Sequence, residues 1–198
     1  MTILSVHFDL EVLLERTAAL HRHLCPRQVL GVRMGMFAGE ILPLELPQNG
    51  KRLLTFVETD GCFSDGVSVA TGCSIGHRTM RVVDYGKVAA TFVDSVTGRA
   101  WRICPSPIAR TRAAAVVPEA ASRWQGQLEA YQRIPDEELL IRQEVTLTVD
   151  LAAIVGKPGT RATCSVCREE VLNQREVMKD GQLMCKSCAG ERYWRPKG

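Results

Sequence analysis

The chain has 198 residues, of which 45% are hydrophobic and 24% charged, and its formal net charge is +3. This composition is typical of a soluble globular protein with a buried core, and no apolar run approaches the ~20 residues that a membrane span needs. The N-terminus lacks a basic region followed by an apolar stretch. We therefore expect no membrane segment, no export, and a cytoplasmic protein whose cysteines stay reduced.

Two helices are predicted in the first part of the chain. The first runs from Asp9, a candidate N-cap, to about Leu20, because apolar residues recur there at helical spacing. The second begins at Pro26, which suits a first helical turn, and runs to about Leu42, before Pro43. Three glycines on one stripe of this helix indicate the close approach of another backbone, with ordinary helix packing as the simplest explanation: Gly31, Gly35 and Gly39.

A strand and a short helix follow the second helix. Residues 52–58 are predicted to form the strand, and residues 64–71 the helix. Ser64 or Asp65 is the candidate N-cap of this helix, and Gly72 is the candidate stop.

The next hundred residues are predicted to add strands and helices in alternation. Residues 79–84 and 87–94 indicate a β-hairpin, and residues 100–104 a further strand. One or two helices are expected between 118 and 142, and a strand over 144–150. Because neighbouring strands are close in sequence, this mixture predicts an α+β fold of mixed helices and a mainly antiparallel sheet.

Four cysteines near the end of the chain have the spacing of a structural zinc site. Two C-x2-C pairs, seventeen residues apart, can form two knuckles that point four sulfurs at one tetrahedral Zn²⁺. These candidate ligands are Cys164, Cys167, Cys185 and Cys188. Residues 179–182 predict a hairpin turn, and the second pair suits the start of a helix, as in treble-clef fingers. We therefore predict an α+β domain over residues 1–156 and a treble-clef or zinc-ribbon-like module over 157–198, joined by a linker at 156–160.

A second group of metal-binding residue types lies in the first domain. His21, His23 and Cys25 fall within five residues, beside the helix start at Pro26, and Cys62 follows a strand. Residues two apart lie on opposite sides of a helix, so the two imidazoles converge only if the backbone there is irregular. The group predicts a second transition-metal site, with zinc the expected ion. A buried corner between two helices is the alternative explanation.

The same residues also support an enzyme hypothesis. Cys25 or Cys62 would act as a nucleophile, a nearby histidine as its base, and Asp65 as the orienting group or acid. The loop that follows the third helix is a candidate cofactor-binding element, because its N–H groups can face an anion and its cysteine can form a second wall of the site: Thr71, Gly72 and Cys73.

Several short motifs of the first domain occur together and in order. They are His-x-His-x-Cys-Pro at 21–26, Leu-Gly-x-Arg at 30–33, Cys-x-x-Asp at 62–65, Thr-Gly-Cys-x-x-Gly at 71–76 and Tyr-Gly-Lys at 85–87. Over residues 15–105 the chain resembles the FmdE family, which is named for a subunit of formylmethanofuran dehydrogenase and part of which also has a C-terminal four-cysteine finger. Arg27 and His77 depart from the family pattern, so the same ligand is not implied.

The resemblance implies a metal-binding accessory protein of molybdenum or tungsten enzymes or of one-carbon metabolism. A cavity beside the His/Cys site would then take a small ligand, such as an oxyanion or a one-carbon carrier, and a protein partner in such an enzyme system is expected. The glycine stripe suggests a homodimer. The third hypothesis is a nucleic-acid-binding regulator that acts through the mildly basic finger, although a folded staple or a protein-docking surface is favoured for that module.

Overall fold

The computed structural model describes residues 9–156 and 159–197, and the chain divides into two compact units between Val149 and Asp150. The predicted boundary lies seven residues later, and Lys157 and Pro158 of the predicted linker are outside the described residues. Within the described ranges, no helix combines the length and the apolar character that crossing a bilayer requires.

The first unit mixes helices with one five-stranded sheet, as the α+β prediction requires. Its helices are α1 (Leu10–His21), α2 (Pro26–Ile41), α3 (Cys62–Thr71), α4 (Ala109–Val116), α5 (Arg123–Arg133) and α6 (Asp136–Leu139). Its strands are β1 (Leu53–Val57), β2 (Met80–Val82), β3 (Ala90–Asp94), β4 (Ala100–Pro105) and β5 (Leu140–Glu144). The core between helices and sheet contains fully buried aromatic and aliphatic side chains, among them Val29, Phe63, Phe92, Ile103 and Leu139.

The strand order is β2-β1-β3-β4-β5, and only the β1–β2 pair is parallel. The predicted hairpin of residues 79–84 with 87–94 is therefore wrong, because β1 lies between β2 and β3 and pairs with both. Parallel neighbours need a crossover connection, and α3 supplies it between β1 and β2. The two strands look like a hairpin in the sequence because only a short loop separates them.

The last strand of the first unit lies earlier than predicted. The alternating segment 144–150 was expected to form it, whereas β5 ends at Glu144. The register against β4 places Pro105 opposite Leu140 and Trp101 opposite Glu144, so β4 has no residues left to pair with most of the alternating segment. Helix α4 was not predicted; it forms a turn of chain between β4 and α5.

Helices α2 and α3 approach each other closely through two glycines. A Cβ atom on Gly31 would overlap the Phe63 carbonyl oxygen, and one on Gly66 would overlap the Gln28 carbonyl oxygen. A Cβ on Gly35 would lie 2.6 Å from that of Ala70, again on α3. Most of the glycine stripe of α2 is therefore used inside the protomer, and it no longer supports a homodimer.

Arg33 fixes helix α5 against α2. This largely buried guanidinium donates to the Tyr131 carbonyl at 2.8 Å, to the Ile134 carbonyl at 2.8 Å and to the Asp136 carboxylate at 2.7 Å. Because a buried charge is stable only when its hydrogen bonds are satisfied, these contacts hold the end of α5 in one position. They matter for the site because α5 forms one wall of the cleft described below.

The second unit begins with a short helix, α7 (Leu151–Val155), capped by the Asp150 carboxylate. Two hairpins follow, formed by the strand pairs β6 (Arg161–Thr163) with β7 (Glu170–Leu172) and β8 (Val177–Lys179) with β9 (Gln182–Met184). The predicted turn at 179–182 is confirmed, and Asp180 and Gly181 both have positive φ, as a type I′ turn needs. The expected helix after Cys185 is wrong: the described residues up to 197 form turns and extended chain. The module therefore has the zinc-ribbon-like form of the two expected.

The α2–α3 contact predicts that Gly66→Ala destabilises the protein. The added methyl group meets the backbone of Gln28, which cannot move without separating the helices, and we expect the free energy of unfolding to fall by about 2–3 kcal/mol. Gly50→Ala is the matched control, because a Cβ there meets nothing within 4 Å. Urea unfolding followed by circular dichroism measures both. Equal midpoints for the two variants would contradict the packing described here.

Candidate metal centre

The chain reverses direction between α1 and α2, and this reversal solves the problem of the two histidines. His21 is the last residue of α1, and Arg22 then adopts left-handed backbone angles, with φ of 65°. A single left-handed residue ends the helix and turns the chain, so that His23 no longer follows the helical rotation. Cys25 caps α2, and its N–H donates to the Gln28 side chain at 2.7 Å. The irregular backbone that convergence required is therefore present.

His21 joins α1 to the start of α3 through both of its ring nitrogens. Nδ1 lies 2.8 Å from the Asp65 carboxylate, and Nε2 lies 3.2 Å from the Cys62 sulfur. Helix α3 begins at Cys62 with Gly61 as its N-cap, so the prediction that Ser64 or Asp65 caps it is wrong. Asp65 lies one turn beyond Cys62 and is free to contact His21. A carboxylate at Nδ1 holds the proton there and leaves Nε2 to bind a metal.

His23 provides a third donor at the same point. One nitrogen of each imidazole and the Cys62 sulfur lie within 4.8 Å of one another. The two rings meet edge to face, with centroids 4.7 Å apart. His21 and Cys62 are half-buried and His23 is exposed, so the group is reachable from solvent. Three donors of this kind suit a transition metal and leave one coordination position open.

Cys25 lies beside this group without belonging to it. Burial raises the pKa of the Cys62 thiol, and the neighbouring Cys25 sulfur and Asp65 carboxylate raise it further. In the absence of a metal, Cys62 is therefore a neutral thiol near pH 7. Cys25 is itself buried and is not among the donors that lie within 4.8 Å of one another. Its role as a fourth ligand stays a prediction.

The predicted cofactor-binding loop lies at the other end of α3. At ~1.5 Å per residue, the ten residues of this helix place about 15 Å between the two ends. The Gly72 N–H donates to Ser68, the Cys73 N–H donates to Thr71, and the Cys73 thiol donates to Leu53. Burial raises the pKa of that thiol. Contrary to our expectation, Cys73 forms no wall of the histidine site, because α3 is a continuous helix. Anion binding by this loop stays a prediction.

A cleft of about 880 Å³ adjoins the histidine site, and the sequence analysis missed it. Cys25 and Cys62 border it on one side. Its other walls come from the loop before β3, the end of β4, and helices α4 and α5. Its lining includes side chains that no sequence pattern groups together, since they come from elements remote in the chain: Arg27, Lys87, Arg102, Arg110 and Trp124. The Cys104 thiol also lines the cleft.

The four C-terminal cysteines converge in the second unit. All four sulfurs lie within 4.8 Å of one another, and those of Cys167 and Cys185 are 3.9 Å apart. Tetrahedral Zn²⁺ with Zn–S bonds of ~2.3 Å places its sulfurs ~3.8 Å apart, so the spacing fits this ion. Backbone N–H groups of Cys167 and Cys185 lower the pKa of the Cys164 thiol to about 6. The N–H of Cys188 points at the Cys185 sulfur at 3.3 Å. These donors stabilise thiolates, which are the form that binds metal.

Comparison with known proteins agrees with the motifs. The sequence model of a family described as "FmdE, Molybdenum formylmethanofuran dehydrogenase operon" matches residues 20–141, which include the histidine site and the cleft. The chain belongs to the FmdE family. The crystal structure of an FmdE-like protein of tungsten formylmethanofuran dehydrogenase from Syntrophus aciditrophicus superposes with a TM-score of 0.58 at 23% identity. That match covers 98% of this chain and 100% of the other, and it confirms the fold.

A second relative is longer than this chain. A protein of Archaeoglobus fulgidus named "Probable S-adenosyl-L-methionine-binding protein" is 30% identical over 203 residues. The alignment covers 91% of this chain and 53% of the relative, so this chain spans about half of that protein.

The contact between Asp65 and His21 predicts that Asp65→Asn weakens metal binding at the N-terminal site. An amide cannot hold the Nδ1 proton as a carboxylate does, and loss of such a partner typically costs about 10- to 100-fold in metal affinity. Competition with a zinc chelator measures the change, and the four-cysteine site in the same molecule should keep its affinity. Asp60→Asn, an exposed carboxylate just before α3, is the control. Unchanged affinity in Asp65→Asn would exclude a role for this carboxylate in the site.

Proposed function

We propose that this FmdE-family protein binds a transition metal through His21, His23 and Cys62, with Cys25 as a candidate fourth donor, and presents it to a small ligand in the adjoining cleft. The observation that carries the proposal is the convergence of three donors from two separate elements within 4.8 Å. A histidine beside a cysteine has many explanations, but the second imidazole has a role only if the three side chains share an ion.

Zinc is the ion that we propose for both sites. Two imidazoles with one or two thiolates form a donor set that Zn²⁺ accepts in tetrahedral geometry. At the N-terminal site, three ligands would leave a position for water or for a group of the bound ligand. At the second site, four sulfurs would close the coordination sphere, which is the arrangement of a structural zinc.

A cysteine-dependent enzyme is the second candidate, and one observation favours it. Asp65, His21 and Cys62 form a carboxylate–imidazole–thiol chain with contacts of 2.8 and 3.2 Å. Such a chain is also the arrangement of a nucleophile, a base and an orienting group. The raised pKa of Cys62 and the presence of His23 favour the metal instead, because an activated nucleophile needs a lowered pKa and no second imidazole.

The broader setting is also a proposal. The description of the family supports an accessory role in molybdenum or tungsten enzyme systems or in one-carbon metabolism, with a protein partner there. The eight cysteines are unpaired, which supports a reducing compartment such as the cytoplasm. The name of the Archaeoglobus relative raises S-adenosyl-L-methionine as a ligand, but this chain covers only about half of that protein, and its cleft is lined by cations. A homodimer and nucleic-acid binding by the finger stay predictions.

Metal stoichiometry tests the proposed function. Purified protein loaded with zinc and then desalted should contain two zinc ions per chain by elemental analysis. His23→Ala should retain one, because only the N-terminal site loses a ligand, and Cys185→Ser should lose the other. His77→Ala is the matched control, since this exposed histidine belongs to neither group. One zinc ion in the unmodified protein, with His23→Ala unchanged, would refute the N-terminal site.

Thiol alkylation separates the metal site from the enzyme. In the metal-free protein, Cys62 should react with iodoacetamide no faster than Cys104, a half-buried thiol in the same cleft. Zinc should then protect Cys62 and leave the rate of Cys104 unchanged, because only Cys62 is a ligand. Mass spectrometry of each peptide gives the two rates. If metal-free Cys62 reacts many times faster than Cys104, the protein is better described as a cysteine-dependent enzyme.

A further inference from the structure

The cleft has a one-sided charge. Its charged lining residues are Arg27, Lys87, Arg102 and Arg110, and no carboxylate of the described residues lines it. Arg102 is neutralised by the largely buried Glu58, which accepts two hydrogen bonds from it at 2.6 and 2.7 Å. The other three cations form no ion pair with a carboxylate in the part of the chain that the structure describes. The cleft therefore carries an excess of about three positive charges within a single concave surface.

The backbone adds to this positive field. Helices α2, α3 and α4 all begin at the cleft, where Pro26, Cys62 and Ala109 border it. The first turn of a helix presents unbonded N–H groups and the positive end of the helix dipole. Three helix starts and three cations without a carboxylate partner create a strong positive potential at one place, and a bound anion relieves it.

The cleft also offers apolar surface at one end. Trp124 of α5 is 51% exposed, although it is a large aromatic side chain, and it borders the cleft together with the buried ring of Tyr131. Leu30, Pro105 and Pro107 extend this surface. An exposed indole beside a cationic patch suits a ligand in which a flat ring and an anionic group are joined.

We propose that the cleft binds a small organic anion, which carries a phosphate or carboxylate group at Arg27, Lys87 and Arg110 and a flat or apolar part against Trp124. This inference deepens the proposed metal function, because Cys25 and Cys62 border the same cleft and a ligand there reaches the metal. The charge argument itself does not depend on a metal. A net cation such as S-adenosyl-L-methionine, with a sulfonium and an ammonium against one carboxylate, is disfavoured by the same field.

Calorimetric titration with matched probes tests the proposal. Adenosine monophosphate and phenyl phosphate are compared with adenosine and phenol, their neutral counterparts, and with S-adenosyl-L-methionine. Because charge-assisted hydrogen bonds are stronger than neutral ones, each phosphate should bind about tenfold or more tightly than its neutral counterpart. Added salt should weaken only the binding of the phosphates. The proposal is overturned if neither phosphate binds more tightly than its counterpart, or if S-adenosyl-L-methionine binds more tightly than adenosine monophosphate.

Two substitutions on α4 locate the effect. Arg110→Gln should reduce phosphate affinity about tenfold and leave the neutral probes unchanged, because one charge-assisted contact is lost. Arg112→Gln is the control: it lies on the same helix but pairs with Glu138 and does not line the cleft. Equal phosphate affinities for the two variants would place the anion elsewhere and refute the site. Both residues are largely exposed, so neither change should prevent folding, which thermal melts confirm.

The metal content of the same samples keeps the two proposals apart. Titrations are run with metal-depleted and zinc-loaded protein. Selective phosphate binding in protein that never holds an N-terminal zinc would uphold the anion site and refute the metal site. Two zinc ions per chain with no phosphate selectivity would do the reverse.

Discussion

The close contact between α2 and α3 is the constraint on which the site depends. Because Gly31 and Gly66 have no side chains, the two helices approach until the backbone of each meets the glycine of the other. Their N-terminal ends therefore lie side by side, and these ends hold Cys25 and Cys62. The left-handed residue Arg22 then turns the chain between α1 and α2 so that both histidines reach the same place. A structural requirement for small residues thus produces the chemistry of the site.

Electrostatics links the metal site to the cleft. Helix starts favour negative charge, and here they face thiols on one side and a cluster of cationic side chains on the other. The thiol of Cys62 is neutral without a metal because its surroundings penalise a thiolate. A bound cation would change that balance, and a ligand anion would balance the arginines. The metal-binding function and the anion-binding cleft are thus two responses to one field, which is why a single group of elements can serve both.

The sequence predicted those parts of the structure that depend on local pattern. Cysteine spacing predicted the C-terminal cluster, and the proline and histidine motif predicted the helix start beside His21. Prediction failed where partners are remote in the chain: residues 79–94 were interpreted as a hairpin, although β1 separates the strands. The cleft was missed for the same reason. Arg27 and Arg110 belong to different helices, and no spacing in the sequence shows that they line one cleft.

The most direct test of the central claim is an anomalous-difference map at the zinc edge, from crystals grown with zinc. Two peaks per chain are expected. One should lie ~2.0–2.1 Å from an imidazole nitrogen of each of His21 and His23 and ~2.3 Å from the Cys62 sulfur, and the other among the four C-terminal sulfurs. A single peak at the four-cysteine site, with His21 and His23 turned away from Cys62, would contradict the account.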